Sequence, residues 1–267
     1  MSRDLNVALE AARKGVAEIE TYRNKNLDVQ FKGHNDLVTD ADIATEKVIV
    51  DVLRSHFPED EILAEESSNG RTGTAGRLWV VDPIDGTTNF TYGFPVFCVS
   101  IALLEDGKSR VAVVIEVNRN EEFTAVRDEG AWLNGRKIAV SDIEEPARAL
   151  IGTGFPYNDY SLFAEYMELL HGLLVEIQGI RRPGAATFDL CCVAAGRFQG
   201  FYEYSLKAWD VAAASLIIQE AGGVVTDSKG GQDWLLGERI IAGNRTIHSY
   251  LLEKIQAGIS QENQVPA

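Results

Sequence analysis

Apolar residues recur at helical spacing from the start of the chain. Leu5, Ala8, Leu9, Ala12, Val16 and Ile19 mark one face of an amphipathic helix. A polar stretch, Asn24 to Asn35, follows as loop or hairpin. Asp40 to Phe57 reads as a second helix. Ala44, Val48 and Val52 form its stripe, Leu53 and Phe57 extend it, and Pro58 closes it. The pattern then changes. Ile62-Leu63-Ala64 is a short strand ending at Glu65-Glu66, a loop rich in Gly, Ser and Thr runs from Ser68 to Gly76, and Leu78 to Val81 is a buried strand. Strand character returns at Val96 to Leu104, Arg110 to Glu116 and Glu122 to Val126. Gly107 and Asn118-Arg119-Asn120 mark turns, and Gly130 to Gly135 reads as another turn between strands.

Beyond this block, strands and helices alternate. Leu150 to Gly154, Phe198 to Tyr204 and Ile240 to Ala242 are strands. Leu162 to Val175, Thr187 to Ala195 and Asp210 to Ala221 are helices. Gly196 ends the second of them, Asp210 sits at the N-cap of the third, and Gly222 lies just past its end. A last helix starts at Thr246, and the tail frays beyond Ala257. This order predicts layered α/β structure in one domain over residues 1–267, with Asp142 to Arg148 as the place where it would divide.

Composition narrows the function. A chain of 267 residues, 45% hydrophobic and 24% charged, builds a sizeable core. Forty acidic against 25 basic residues give a net charge of −15. That balance argues against a non-specific nucleic-acid binder, and it repels phosphate ligands unless bound cations invert the local field. The opening residues lack the apolar core of a signal peptide, and no run approaches the roughly 18 apolar residues of a membrane span, so a cytoplasmic location without membrane contact is expected. Cys98, Cys191 and Cys192 sit in apolar surroundings and read as reduced core thiols, with a redox pair at Cys191-Cys192 as the alternative. Two glycosylation patterns, at Asn89 and Asn244, read as accidental.

The chemistry concentrates in Trp79 to Phe90. The apolar run stops at Asp82, Pro83 redirects the chain, Asp85 follows, and Gly86-Thr87-Thr88 turns. Two oxygen ligands and a turn rich in backbone N–H groups suit a divalent cation and a phosphate. An Asp-Gly pair alone is a common turn. However, Glu65-Glu66 ends another strand, and Trp209-Asp210 ends a third and opens a helix. Three elements ending in carboxylates can converge at one sheet edge. Clustered carboxylates need a cation, and hard oxygens favour Mg²⁺, Mn²⁺ or Ca²⁺ over zinc. His34, His56, His171 and His248 are scattered, with no zinc spacing, and neither a Gly-x-Ser-x-Gly elbow nor a Walker loop occurs.

With these motifs in hand, the sequence resembles the inositol monophosphatase family of Mg²⁺-dependent, lithium-sensitive phosphatases. Trp79 to Phe90 looks like its first motif, and Trp209 to Ala214 through Glu220 to Gly223 like its second. Asn35 to Asp42, Ala64 to Ser67, the Gly184 to Thr187 turn and Glu203 follow in family order. The resemblance implies an αβαβα sandwich and a homodimer. It also implies one metal at Glu65, Asp82 and the Ile84 carbonyl, a second at Asp82, Asp85 and Asp210, and a third held largely by water near Glu65. Asp36 is a further candidate for that network. Asp42 and Thr87 would orient or deprotonate the attacking water, with Glu65 also in the catalytic set. Gly86, Thr87 and Thr88 would hold the phosphate, while Asp85, Gly184, Ala186, Glu203 and Asp210 would contact the rest of the substrate. The implied reaction is in-line attack of a metal-activated water on phosphorus with two to three Mg²⁺ ions, Mn²⁺ as a substitute, and Li⁺ or Ca²⁺ as inhibitors.

Thr87-Thr88-Asn89-Phe90 resembles the inositol monophosphatase branch, so inositol 1-phosphate is the expected substrate. Phe31-Lys32-Gly33 and Gly154 to Tyr157 depart from the animal enzymes and look bacterial. Related sugar, histidinol-phosphate and 3′-phosphoadenosine 5′-phosphate phosphatases stay as alternatives. So does a bacterial transcription or RNA-processing partner that retains the fold. Arg181-Arg182 is a small basic spot that fits a salt bridge or interface better than RNA contact.

Overall fold

The computed structural model describes all residues except 1, 24, 26, 32–36, 68–74, 157–159, 238 and 263–267. The chain opens with α1 (Arg3–Tyr22), a short antiparallel pair β1 (Val29–Phe31) and β2 (Leu37–Thr39), and α2 (Asp40–His56). Next come β3 (Glu61–Ala64), β4 (Arg77–Asp85), the one-turn helix α3 (Thr87–Thr91), β5 (Cys98–Glu105), β6 (Lys108–Glu116), β7 (Glu121–Val126), β8 (Gly130–Leu133) and β9 (Arg136–Lys137). The second half holds β10 (Leu150–Thr153), α4 (Phe163–Leu174), β11 (Gly179–Arg181), α5 (Ala186–Ala194), β12 (Gly200–Tyr204), α6 (Ala208–Glu220), β13 (Val224–Thr226), β14 (Arg239–Gly243) and α7 (Arg245–Glu262). No described helix is long and apolar enough to cross a membrane.

Two sheets organise these elements. One runs β3-β4-β5-β6-β7-β8-β9, with β3 and β4 parallel and the rest antiparallel. The other runs β11-β10-β12-β14-β13. Strand periodicity explains the layering. On β4, Trp79 and Val81 join the core beneath α1 and α2. Leu78 and Val80 point the other way, to α5 and α6. The far side of α5 and α6 receives Phe201, Ile240 and Ala242 of the second sheet, and the same sheet turns Ile151, Tyr202 and Ile241 toward α4 and α7. The result is an αβαβα sandwich. Both faces of β4 and β5 are covered, which is why they read as continuous apolar runs instead of alternating ones.

Several boundaries differ from the expectation, each for a local reason. The buried face of α2 carries Asp42, Thr45, Glu46, Ile49 and Leu53, a rotation away from the Ala44-Val48 stripe. Polar groups on that face are turned inward by the functional site described below. Residues 130–133 form a strand, and the turn is confined to Asn134-Gly135, both with positive φ. Strand β12 begins at Gly200, not Phe198. Helix α6 begins before Asp210, which stands at N3 and accepts from the Lys207 N–H at 2.6 Å. Helix α7 runs past Ala257 to Glu262. The predicted loop Ser68 to Gly76 lies almost entirely outside the described residues.

Asn89 and Asn244 are buried and use their amides internally, on Val96 and Pro183 carbonyls and on Ser141 and Ile143 carbonyls respectively. The three cysteines are buried free thiols.

Trp79 anchors β4. It is fully buried, stacks 5.5 Å from Phe57, and its Nε1 donates to Asp60 at 2.9 Å. Trp79→Ala is expected to lower unfolding stability by about 3–5 kcal/mol, the range for deleting a buried aromatic. Urea denaturation checks this; a loss below about 1 kcal/mol would mean that β4 is not the spine of the first sheet.

Candidate metal centre and active site

The site forms where β3 and β4, a parallel pair, end side by side. Ala64 pairs with Val81, and the Glu65 N–H donates to the Val81 carbonyl at 3.1 Å. Glu65 and Asp82 are therefore neighbours across the ladder. Ligand sites favour such carboxyl ends of parallel strands. Between Asp82 and Asp85 the register slips. Asp82 faces Ser100 and Asp85 faces Cys98, so three steps on β4 oppose two on β5. In a regular strand, residues three apart point to opposite faces. The extra residue turns Asp85 back onto the Asp82 side, and Ile84 drops into the core under α1 and α2. Pro83 sits within the bulge, where a missing ladder donor is tolerated.

Helices α5 and α6 bring the remaining groups. The Thr187 N–H in the first turn of α5 donates to Asp85 Oδ2 at 2.7 Å, and Thr187 Oγ1 donates to the Asp210 carbonyl at 2.8 Å. The first turns of both helices are thus tied together. Ser109 Oγ on β6 donates to the Ala212 carbonyl of α6 at 3.0 Å. Asp82, Asp85 and Asp210 each place a carboxylate oxygen within 4.8 Å of the others.

Burial pushes the carboxyls of Asp82 and Asp210 well up. The charges of Glu65, Asp85 and Asp210 add to the rise at Asp82, as Asp85 does at Asp210. Asp85 is also raised by burial, against the pull of the Thr187 and Phe188 N–H groups. Glu65 lies close enough to Asp82 to add to its rise, and Asp82 Oδ1 is buried without any hydrogen-bond partner. An unpartnered carboxylate oxygen on a residue clustered with two further carboxylates suits a hard divalent cation, and the all-oxygen donor set fits Mg²⁺ or Mn²⁺.

Around this cluster stand the other predicted residues. Thr87 Oγ1 lies 2.8 Å from Asp42 Oδ1 and 3.0 Å from the Ile84 carbonyl. Asp42 is fixed from the other side by Thr39, whose backbone N–H donates to Oδ2 at 2.8 Å and whose hydroxyl donates to the same oxygen. Gly86 begins α3 at φ +96°, and a Cβ there would come 3.0 Å from the Val96 carbonyl and 3.3 Å from Ala185. Glycine is required there both for the left-handed conformation and for the close approach. Gly86 therefore abuts the Gly184 to Ala186 turn, which Asn89 clamps through the Pro183 carbonyl at 2.9 Å. Thr88 is exposed beside it. Asp36 lies outside the described residues.

Glu203 enters from β12. Burial raises its carboxyl to about 8, with Arg182 opposing the rise and Asp85 adding to it. Its carboxylate occupies the space a side chain at Gly154 would need, since a Cβ there would lie 1.9 Å from Oε1. Gly154 thus leaves room for the Glu203 carboxylate.

Three residues escaped the sequence reading. Asp189, buried on α5, has its carboxyl pushed well up by burial and by the charges of Glu203 and Asp85, and leaves Oδ1 without a partner. A carboxylate inside the apolar run Phe188 to Val193 was the available signal. Cys98 Sγ lies 3.6 Å from Asp85 Oδ2. Glu46, on α2, bonds the turn that follows Glu65.

The chain matches the inositol monophosphatase family over residues 1–260. A putative Nus factor SuhB of Neisseria meningitidis serogroup B is 42% identical over 262 residues, 97% of this chain and 100% of that protein. The crystal structure of extragenic suppressor protein suhB from Bartonella henselae aligns with a TM-score of 0.91 at 39% identity, over 96% of this chain and 100% of that one. A crystal structure of an IMPase/NADP phosphatase complexed with Mg²⁺ and phosphate aligns with a TM-score of 0.81 at 27% identity, over 91% of each chain. With a match that spans nearly its whole length and a fold shared layer by layer, this chain belongs to the inositol monophosphatase family.

Proposed function

We propose that the protein is a Mg²⁺-dependent phosphomonoesterase that hydrolyses inositol 1-phosphate to inositol and phosphate. The observation that carries this reading is the orphaned Asp82 Oδ1 in a triad of carboxylates of which Asp82 and Asp85 are buried and Asp210 half-buried. Support also comes from the family membership and from the Mg²⁺ and phosphate held by a structural relative. Glu65, Asp82 and the Ile84 carbonyl would hold one ion, and Asp82, Asp85 and Asp210 a second. A third ion would sit near Glu65, largely in water. Bound there, divalent cations supply Lewis acidity and a water nucleophile at neutral pH.

The chain's own residues do the rest. Thr87, donating to Asp42, keeps its oxygen lone pairs for a proton of the attacking water. Asp42 serves as the fixed acceptor because Thr39 saturates its other oxygen. Backbone N–H groups at Gly86, Thr87 and Thr88 bind the phosphate. In-line attack of the water on phosphorus forms one P–O bond and breaks the ester bond to the inositol oxygen, which takes up a proton from water and leaves as the free alcohol. Glu203, Asp85, Asp210 and the backbone of Gly184 and Ala186 bind the polyol hydroxyls, so catalysis rests on positioning and charge neutralisation. Mn²⁺ would substitute for Mg²⁺, Li⁺ and Ca²⁺ would inhibit, and the enzyme would work as a cytoplasmic homodimer.

A second reading, a protein-binding role in transcription, rests on the relative named as a putative Nus factor. Glu65, Asp82, Asp85, Thr87 and Asp210 are all present, so that role would accompany catalysis instead of replacing it.

Phosphate release is measured with Mg²⁺ and with EDTA from inositol 1-phosphate, fructose 1,6-bisphosphate, 3′-phosphoadenosine 5′-phosphate and histidinol phosphate. Mg²⁺-dependent preference for inositol 1-phosphate is expected. Preference for another ester would move the substrate and keep the mechanism, whereas no turnover by folded protein would favour the transcription role. Asp85→Asn is expected to lower kcat/KM at least about 100-fold, since loss of even an outer partner of a metal ligand costs 10- to 100-fold. Near-normal activity of that variant would remove Asp85 from the site.

A further inference from the structure

Asp42 and Glu46 stand one helical turn apart on α2, and both are buried. Asp42 reaches Thr87. Glu46 serves a different part of the site. Its carboxylate, 5% exposed, accepts the Glu66 N–H through Oε2 at 2.7 Å. Among the described residues it has no cationic partner. A buried carboxylate that spends its hydrogen bond on one distant backbone amide is an expensive arrangement unless that amide has to be held.

The amide matters because of what precedes it. The Glu66 N–H and the Glu65 carbonyl belong to one rigid peptide plane. The plane on the other side of Glu65 is fixed as well, by its N–H on the Val81 carbonyl at 3.1 Å. With both flanking planes restrained, φ and ψ of Glu65 are narrowed, and with them the direction of its Cα–Cβ bond. Strand β3 ends at Ala64, so the sheet supplies only the first of these restraints.

We propose that Glu46 is a positioning residue for Glu65: through the Glu66 N–H it aims the Glu65 carboxylate at the cation site. This rests on the reading of Glu65 and Asp82 as metal ligands. Helix α2 then sets two parts of the centre at once, the water-orienting pair through Asp42 and the first cation site through Glu46. The requirement at position 46 is an acceptor of the right reach, not a negative charge.

Two conservative variants separate reach from charge. Glu46→Gln keeps an acceptor oxygen at the same distance and removes the charge. Glu46→Asp keeps the charge and withdraws the acceptor by one methylene. Mn²⁺ binding to substrate-free protein is measured by calorimetry for wild type, both variants, Glu46→Ala and Asp82→Asn. The Mg²⁺ dependence of phosphate release is measured in parallel. Glu46→Asp and Glu46→Ala should weaken Mn²⁺ binding about 10-fold, the lower end for loss of a group that orients a ligand. Both should raise the Mg²⁺ concentration for half-maximal rate similarly while the rate at saturating Mg²⁺ stays within about 3-fold. Glu46→Gln should stay within about 3-fold of wild type in every readout.

If Glu46→Asp binds Mn²⁺ like wild type, or Glu46→Gln is as weak as Glu46→Ala, the inference is wrong. Should Glu46→Ala fail to fold, the Gln and Asp pair still decides. If wild type binds no Mn²⁺, or Asp82→Asn binds it unchanged, the metal-site reading itself falls, a result distinct from failure of the Glu46 proposal alone.

Discussion

Mutual repulsion among buried carboxylates is the constraint around which this molecule is arranged. Asp82, Asp85 and Asp210 converge within 4.8 Å in surroundings that disfavour their charged forms, with Glu65 adding its charge at Asp82 and Asp85 its charge at Glu203. A fold would normally separate such groups or neutralise them with Lys or Arg. Here burial and the neighbouring carboxylates dominate the surroundings of Asp82 and Asp210, while Arg182 opposes the same rise at Glu203 and Asp189. The acidic triad is left for a cation to neutralise. That also resolves the conflict between a net charge of −15 and an anionic substrate, because the local field reverses once cations bind.

The scaffold keeps the carboxylates in place against their repulsion. A β-bulge turns two residues of one strand to the same side. The first turn of α5 gives Asp85 a backbone N–H, and α6 holds Asp210 by its own capping hydrogen bond to Lys207. Thr187 links the two helices, so Asp85 and Asp210 are held together by the layer that the two sheets share. The restraint is distributed across β4, α2, α5 and α6, each packed in one of the two large cores. Rigid elements that hold ligands against repulsion provide the preorganisation that phosphoryl transfer requires.

Much of this was legible in the sequence wherever chemistry and periodicity coincided. The apolar run into Asp82, the Gly86 turn and the carboxylates Glu65 and Asp210 stood at element ends, where polar residues are conspicuous. The alternation of helices and strands pointed to layered α/β structure, and the αβαβα order came from the family resemblance. The strands β11 and β13 were missed because each has three residues and lies next to glycine, at Gly179 and at Gly222-Gly223, so neither shows a period. Asp210 was misplaced by three positions because an aspartate serves at N3 of a capping box as readily as at the N-cap. On α2 the polar residues Asp42, Thr45 and Glu46 face inward, which inverts the rule used to find the buried face. Glu46 and Asp189 went unseen, and Cys98 was read only as a core thiol, for the same reason: their contacts are with backbone amides and neighbouring carboxylates, and linear spacing does not encode those contacts.

The central claim, that the carboxylate cluster is built for a divalent cation, is tested most directly by the melting temperature measured against pH with and without Mg²⁺. Each raised carboxyl keeps its proton in the folded chain after the unfolded chain has released it. The stability this contributes is fully present below the ordinary carboxylate value and is lost as pH rises through the folded one, from 4.5 to about 8 for Glu203 and in the same direction for Asp82, Asp85 and Asp210. Without cations, the melting temperature should therefore fall between pH 5 and about pH 8. Saturating Mg²⁺ should raise it more at the upper end of that range than at the lower, because protons and cations compete for the same oxygens. A melting temperature that Mg²⁺ leaves unchanged near pH 8, or raises equally at both ends, would contradict the account.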